Sequence, residues 1–206
     1  MSLAQDLASG IDSLGLELNQ ETQQKLLDYM ALLQKWNKVY NLTAIRNAEQ
    51  MVSHHLLDSL SVLSHLWAGR WLDVGCGAGL PGLVLAIARP HWSFTLLDSN
   101  SKKTSFVQQV AIELGLKNVT VICARVEQMQ ANEKFDGIIS RAFAETADFV
   151  KLTRHLLADK ARWAAMKGTP DQELQRLPGD VEVERIIPLS VSGLDAARCL
   201  VLLKAT

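Results

Sequence analysis

This sequence predicts an α/β fold built on a mostly parallel sheet with helices on both faces, and three observations carry that prediction. From residue 70 onward, short apolar runs of strand length alternate with segments of helical period. One strand-to-helix junction, Asp73 to Gly82, is a glycine-rich turn. The last two apolar runs, 181–189 and 197–204, have no long helix between them, so they predict an antiparallel hairpin at one edge.

The elements follow in order. Residues 1–66 read as helical throughout, with Asn19 as a cap and Leu26, Met30, Leu33 and Trp36 recurring at helical spacing. The Asn-rich stretch Trp36 to Thr43 ends that helix, and a second helix or broken pair runs from Ala48 to Leu66. Seven strands are then expected, at 70–74, 93–98, 118–123, 136–140, 161–167, 181–189 and 197–204. Helices are expected at 80–89, 101–115, 145–157 and 170–176, with a short turn or helix near 125–130. Pro90 closes the first of these helices and Gly115 ends the second. This divides the chain into an N-terminal helical extension, 1–66, packed on a domain spanning 67–206.

Bulk properties narrow the function. A chain of 206 residues, 48% hydrophobic and 21% charged, has the composition of a globular domain with a core of its own. No apolar run reaches the roughly 20 residues that cross a bilayer, and no basic-then-apolar leader opens the chain. No membrane partner is expected, and a cytoplasmic monomer is. Cys76, Cys123 and Cys199 are far apart and lack histidines at metal spacing, so no metal is expected. With a net charge of −1, nothing global announces a nucleic-acid partner.

The glycine turn holds the first candidate site. A tight turn of this kind exposes backbone amides at the positive end of a helix, which favours an electron-rich ligand. The dinucleotide fingerprint G-x-G-x-x-G fails because Leu80 stands at its third glycine. What remains, Asp73-x-Gly75-x-Gly77-x-Gly79, is similar to motif I of the class I S-adenosylmethionine-dependent methyltransferases. In that class the methionine part of the cofactor lies against the turn and the acid sits near its ammonium group.

Asp98 ends the next strand, 23 residues after Gly75. There a carboxylate can accept both hydroxyl protons of a ribose; alternatively Asp98 or Ser99 caps the following helix. Val126 and Glu127 border the place where an adenine would lie, although Arg125 and Glu127 also read as a solvated pair. Arg141 suits a cofactor carboxylate or a substrate phosphate, or stands as a plain surface residue. The sequence around it, Ser140-Arg141-Ala142-Phe143, lacks the Asn/Asp-Pro-Pro-Tyr/Phe word of amino-group methyltransferases. His54 and His55 read as core or helix-surface residues that do not share a face, with a His54–Asp58 hydrogen bond possible one turn on. Trp36, Tyr40 and Trp67 read as core, and Lys102, Lys103 and Lys117 as a solvated helix face.

Several words resemble one family in order and over nearly the whole chain: the bacterial RsmG (GidB) 16S ribosomal RNA guanine-N7 methyltransferases. They are Lys35 to Lys38, Tyr40 to Thr43, His55 to Ser59, Asp73 to Gly82, Leu96 to Ser99, Arg125 to Glu127, Ile139 to Ala144, and Lys167-Gly168. The resemblance implies a class I, Rossmann-like methyltransferase with S-adenosyl-L-methionine as cofactor. Its substrate would be 16S ribosomal RNA or an assembling small ribosomal subunit. Gly75, Leu80, Val126, Glu127 and Arg141 are then expected cofactor contacts, beside Asp73, Gly77, Gly79 and Asp98. Arg125 and Lys167 are expected to hold RNA phosphates. In this sequence Cys76 and Ala78 replace the Thr and Pro common in relatives, and His54 stands where an Arg is common. Guanine N7 carries a lone pair and no proton, so no general base is expected; a carbonyl or carboxylate could stabilise the positive charge left on the ring, and the sequence does not name one. The competing readings are a methyltransferase acting on a small molecule or protein, and a non-catalytic cofactor- or RNA-binding module.

Overall fold

The computed structural model describes residues 2–169 and 171–206. Helix α1 (Leu3–Ser13) opens with a reciprocal cap between Ser2 and Gln5, and α2 (Gln20–Tyr40) starts on Asn19, whose Oδ1 accepts the Thr22 amide at 2.9 Å. Asn41 ends α2 in the left-handed region at φ 49°, a conformation asparagine tolerates. The expected helix at 48–66 is broken. It runs as α3 (Ala48–Met51), a π-helical turn (Val52–Leu57), α4 (Asp58–Leu60) and a 3-10 turn (Leu63–His65).

The alternating part follows as β1 (Arg70–Val74), α5 (Gly82–Ala88), β2 (Ser93–Asp98), α6 (Ser101–Glu113) and β3 (Val119–Cys123). A 3-10 turn (Val126–Gln128) leads to β4 (Phe135–Arg141), α7 (Thr146–Thr153), β5 (Leu157–Lys167), α8 (Asp171–Leu174), β6 (Val181–Leu189) and β7 (Arg198–Ala205). The predicted start of α8 at Pro170 lies outside the described residues. The seven strands form one sheet in the order β3-β2-β1-β4-β5-β7-β6. Strands β1 to β5 pair in parallel, while β7 runs antiparallel to both β5 and β6, as the hairpin reading expected. The order reverses between β1 and β4, and the crevice beyond the strand ends at such a reversal is where ligands bind in open α/β sheets.

One apolar cluster joins Leu7 and Ile11 of α1, Leu26 and Leu33 of α2 and Leu56 of the π turn to α5 and α6 on one face of the sheet. The opposite face is covered by α7, with Phe149 and Val150 against Leu72, Ile138 and Trp163. All seven residues of α5 are buried between the sheet and the N-terminal helices. Tyr40 departs from the expected core: it is 44% exposed, its ring 5.3 Å from that of half-buried Trp36. It sits in the last turn of α2, where the helix is already ending. The cap of α6 is Asn100, whose Oδ1 accepts the Lys102 and Lys103 amides, and neither Asp98 nor Ser99.

Candidate active site

The glycine turn uses its amides internally. The Gly75 and Cys76 amides donate to the Leu97 carbonyl at 2.8 and 3.0 Å, and Gly79 and Leu80 donate to that of Cys76 at 2.7 and 2.9 Å. Gly77 donates to Asp98 Oδ2 at 2.9 Å and Gly82 to Asp73 Oδ2 at 2.7 Å. The expectation of amides free for an electron-rich ligand is therefore narrowed to Ala78, because neighbouring carbonyls and carboxylates already hold those of Gly75, Cys76, Gly77, Gly79, Leu80 and Gly82. The carbonyls of Gly75 and Gly77 have no partner among the described residues, and neither does the Ala78 amide beside them. A wall of carbonyls suits a cationic ligand better than a phosphate.

Asp73 lies beneath this turn, fully buried, with its carboxylate on the first amide of α5 rather than on a cavity wall. Burial raises its pKa from 3.8 to about 7, opposed by the Gly82 amide and by the charge of Arg141. Gly79 and Leu80 are buried behind the turn. Tyr29, fully buried on α2, donates its hydroxyl to the Ala78 carbonyl at 2.8 Å and so ties the N-terminal helices to the turn.

In front of the turn a cavity of about 280 Å³ is lined by Gly75, Asp98, Lys103, Arg125, Val126, Glu127, Ala142 and Phe143, among others. Asp98 Oδ1 also accepts the Asn100 amide at 2.8 Å, which leaves its remaining lone pairs for a ligand's hydroxyls. Lys103, expected on a solvated face, is partly buried at this wall. Arg125 and Glu127 both face the cavity and make no ion pair with each other among the described residues.

Arg141 and Lys167 face a second cavity, of about 440 Å³, shared with Ile45, His54, His55, Asp58, Met166 and Arg198. Arg141 Nη1 donates to Asp58 Oδ2 at 2.8 Å and to the His54 carbonyl at 2.9 Å, while Arg198 Nε donates to Asp58 Oδ1 at 3.2 Å. The possible His54–Asp58 hydrogen bond is thus replaced by two guanidiniums, and His54 Nδ1 pairs with Ser53 Oγ at 2.7 Å. Both histidines line this cavity, on the segment that forms the π turn. His55 Nε2 lies 2.9 Å from Thr43 Oγ1, and burial, together with the charge of Arg141, lowers its pKa to about 4. Lys167 Nζ donates to the Ala144 carbonyl at 2.8 Å and to Glu173 at 2.7 Å. Asp58 is 83 residues from Arg141 and 140 from Arg198, so no local signal in the sequence announced this cluster.

The GidB family model, described as rRNA small subunit methyltransferase G, matches residues 22–201. The chain belongs to that family. Ribosomal RNA small subunit methyltransferase G of Laribacter hongkongensis is 53% identical over 202 residues, covering 98% of each chain. The protein of the same name from Chromobacterium violaceum is 55% identical over 198 residues, covering 95% of each. Among solved structures, the glycopeptide N-methyltransferase MtfA superposes at a TM-score of 0.60 with 12% identity, over 73% of this chain and 95% of that one. TrmN from Thermus thermophilus superposes at 0.57 with 15% identity, over 75% of this chain and 53% of that one. These two likenesses show the fold.

A GidB-family protein is a methyltransferase that takes its methyl group from S-adenosyl-L-methionine. The first cavity fits that cofactor on its own chemistry: unpartnered carbonyls for a cation, a carboxylate with free lone pairs for hydroxyls, and apolar Val126 and Phe143 for a heterocycle. A Cβ on Gly75 would stand 2.6 Å from Phe143 and narrow the cavity, and the φ of 69° there favours glycine.

Proposed function

We propose that this protein transfers a methyl group from S-adenosylmethionine to N7 of one guanine in small-subunit ribosomal RNA, in free 16S RNA or in an assembling particle. The observation that carries this reading is the pairing of two cavities on either side of Ala142, one beside the glycine turn and one walled by arginines, in a chain of the GidB family. Gly75 and Gly77 carbonyls would hold the cofactor's cationic end, Asp98 its ribose, and Val126 and Glu127 its adenine. Asp73, Gly79 and Leu80 would shape the turn from behind.

Bound there, the cofactor supplies an electrophilic methyl group on a sulfonium. The acceptor N7 has a lone pair and no proton to lose, so the protein need not supply a base. Its contribution is to hold donor and acceptor in line and to exclude water. Paired A-form RNA hides N7 in a deep, narrow groove, which favours an unpaired guanine as substrate. Arg125 at the first cavity is a proposed phosphate contact; Lys167 at the second is already met by Glu173 and the Ala144 carbonyl.

The test incubates labelled S-adenosylmethionine with small subunits, or their RNA, from cells lacking this protein, followed by reduction and aniline scission. One new scission site supports the reading. Transfer to RNA without scission moves the target off N7, and no transfer to either substrate removes the RNA reading.

A further inference from the structure

The cluster formed by Asp58, Arg141 and Arg198 lies on the second cavity, away from the glycine turn, and joins three segments of the chain around one buried carboxylate. Asp58 comes from the N-terminal segment and its side chain is 2% exposed. Strands β4 and β7 each deliver one guanidinium to it, one on each carboxylate oxygen. Two cations against one anion leave a single positive charge. Lys167 adds none, because Glu173 meets it at 2.7 Å. Arg141 Nε and Nη2 and Arg198 Nη2 make no hydrogen bond among the described residues. Donors in this fixed, forked arrangement match the geometry of a phosphate.

The rest of the cavity has a different character. Ile45 and Met166 offer apolar surface, and His54 and His55 complete the wall on the N-terminal side. At about 440 Å³ the cavity lies within the ~300–1,000 Å³ of small-ligand sites. Ala142 borders both cavities and has a left-handed φ of 57°, so the chain turns there, with Arg141 on the second cavity and Phe143 on the first. A non-glycine residue in that region is strained, and such strain collects at functional sites.

We infer that the second cavity is the acceptor-nucleotide site, taking one unpaired guanylate with its base inside and a single phosphodiester on Arg141 and Arg198, which Asp58 holds in place. The inference rests on the proposed methyl transfer to RNA and adds where the nucleotide sits and which residues hold it. Asp58 is a positioning residue: it touches no substrate and orients the two arginines that do. With one phosphodiester bound the cavity is neutral, so positive charge developing on the guanine ring meets no uncompensated cation. The N-terminal segment, through Ile45, His54, His55 and Asp58, is then one wall of the acceptor site.

The test is Arg198→Gln, with Asp58→Asn beside it, measured for small-subunit KM across a salt series and for S-adenosylmethionine affinity. For Arg198→Gln the expected result is a KM raised about tenfold or more, with the salt dependence shallower by about 0.7 in log–log slope, the loss of one phosphate contact. Arg198→Lys should restore the slope but only part of the affinity, and cofactor affinity should be unchanged in all three variants. Asp58→Asn should reproduce the Arg198→Gln effect without any change in the unfolding midpoint of the cofactor-bound protein large enough to account for it. An unchanged KM and slope in Arg198→Gln overturns the inference. So does a matching loss of cofactor affinity, which would assign the cavity to the cofactor. Binding of 5′-GMP but not guanosine to the wild-type protein supports the phosphate element, and equal binding of the two overturns it. If wild type methylates no RNA, the proposed function fails, while the 5′-GMP comparison still decides what the cavity holds.

Discussion

At the residue scale, two buried titratable groups pull the pH dependence of stability in opposite directions. Asp73 has a folded pKa near 7 against 3.8 when exposed, so between these values the native state holds a proton that the unfolded state releases. Its contribution to stability is fully present below pH 3.8 and is lost as pH rises toward 7. His55 has a folded pKa near 4 against 6.5, so over that range the unfolded state is the one that binds the proton. Its contribution grows from pH 4 to 6.5. In the wild type the two offset, and single substitutions unmask them. Urea unfolding of Asp73→Asn should show stability climbing from pH 4 to 6.5, and that of His55→Gln should show it falling from pH 4 to 7. Gly75→Ala belongs to the same scale. Its Cβ would meet Phe143 at 2.6 Å from a backbone at φ 69°. Calorimetric titration with S-adenosylmethionine should show at least a tenfold loss of affinity, with a stability loss of about 1 kcal/mol.

At the scale of elements, α2 does more than cover the sheet. The Tyr29 hydroxyl holds the Ala78 carbonyl, and the amide across that peptide bond, Gly79, is held by Cys76. That peptide of the glycine turn is therefore pinned at both ends, one of them from the N-terminal helices. Tyr29→Phe leaves a buried carbonyl without a partner, at a cost of about 1–3 kcal/mol. Chemical unfolding should show that loss, and cofactor KM should rise more than kcat falls, because the affected peptide supports the glycine turn behind the proposed cofactor cavity. The π turn acts at the same level. It carries His54 and His55, and with Asp58 just beyond it brings all three to the second cavity.

At the scale of the molecule, the N-terminal helices and the sheet share one apolar cluster, with α5 buried along its whole length between them. A chain restricted to 67–206 would expose one side of α5 and the Leu96–Phe106 face. Contiguous apolar surface of this kind leads to association rather than a stable monomer. Size-exclusion chromatography and urea unfolding of that fragment are expected to show aggregation or a non-cooperative transition. A monomeric, cooperatively unfolding fragment would make the extension an independent appendage.

Local pattern carried much of this protein in the sequence. The alternation of period after residue 70 determined the strands and helices, the missing crossover determined the antiparallel hairpin, and Asp73 to Gly82 placed the turn beside Asp98. These are legible because each depends on neighbours within one turn or one strand pair. Arg125, Val126 and Glu127 come to the first cavity for the same reason, since they follow the strand next to Asp98. Tertiary structure alone decided the rest. It engaged most of the turn's amides internally, moved Asp73 off the cavity wall, exposed Tyr40, and drew Arg141 and Lys167 into a separate cavity from Arg125. The Asp58 cluster unites residues 83 and 140 positions apart. No periodicity encodes such a meeting, because it arises only when the π turn, β4 and β7 close on one another around a buried carboxylate.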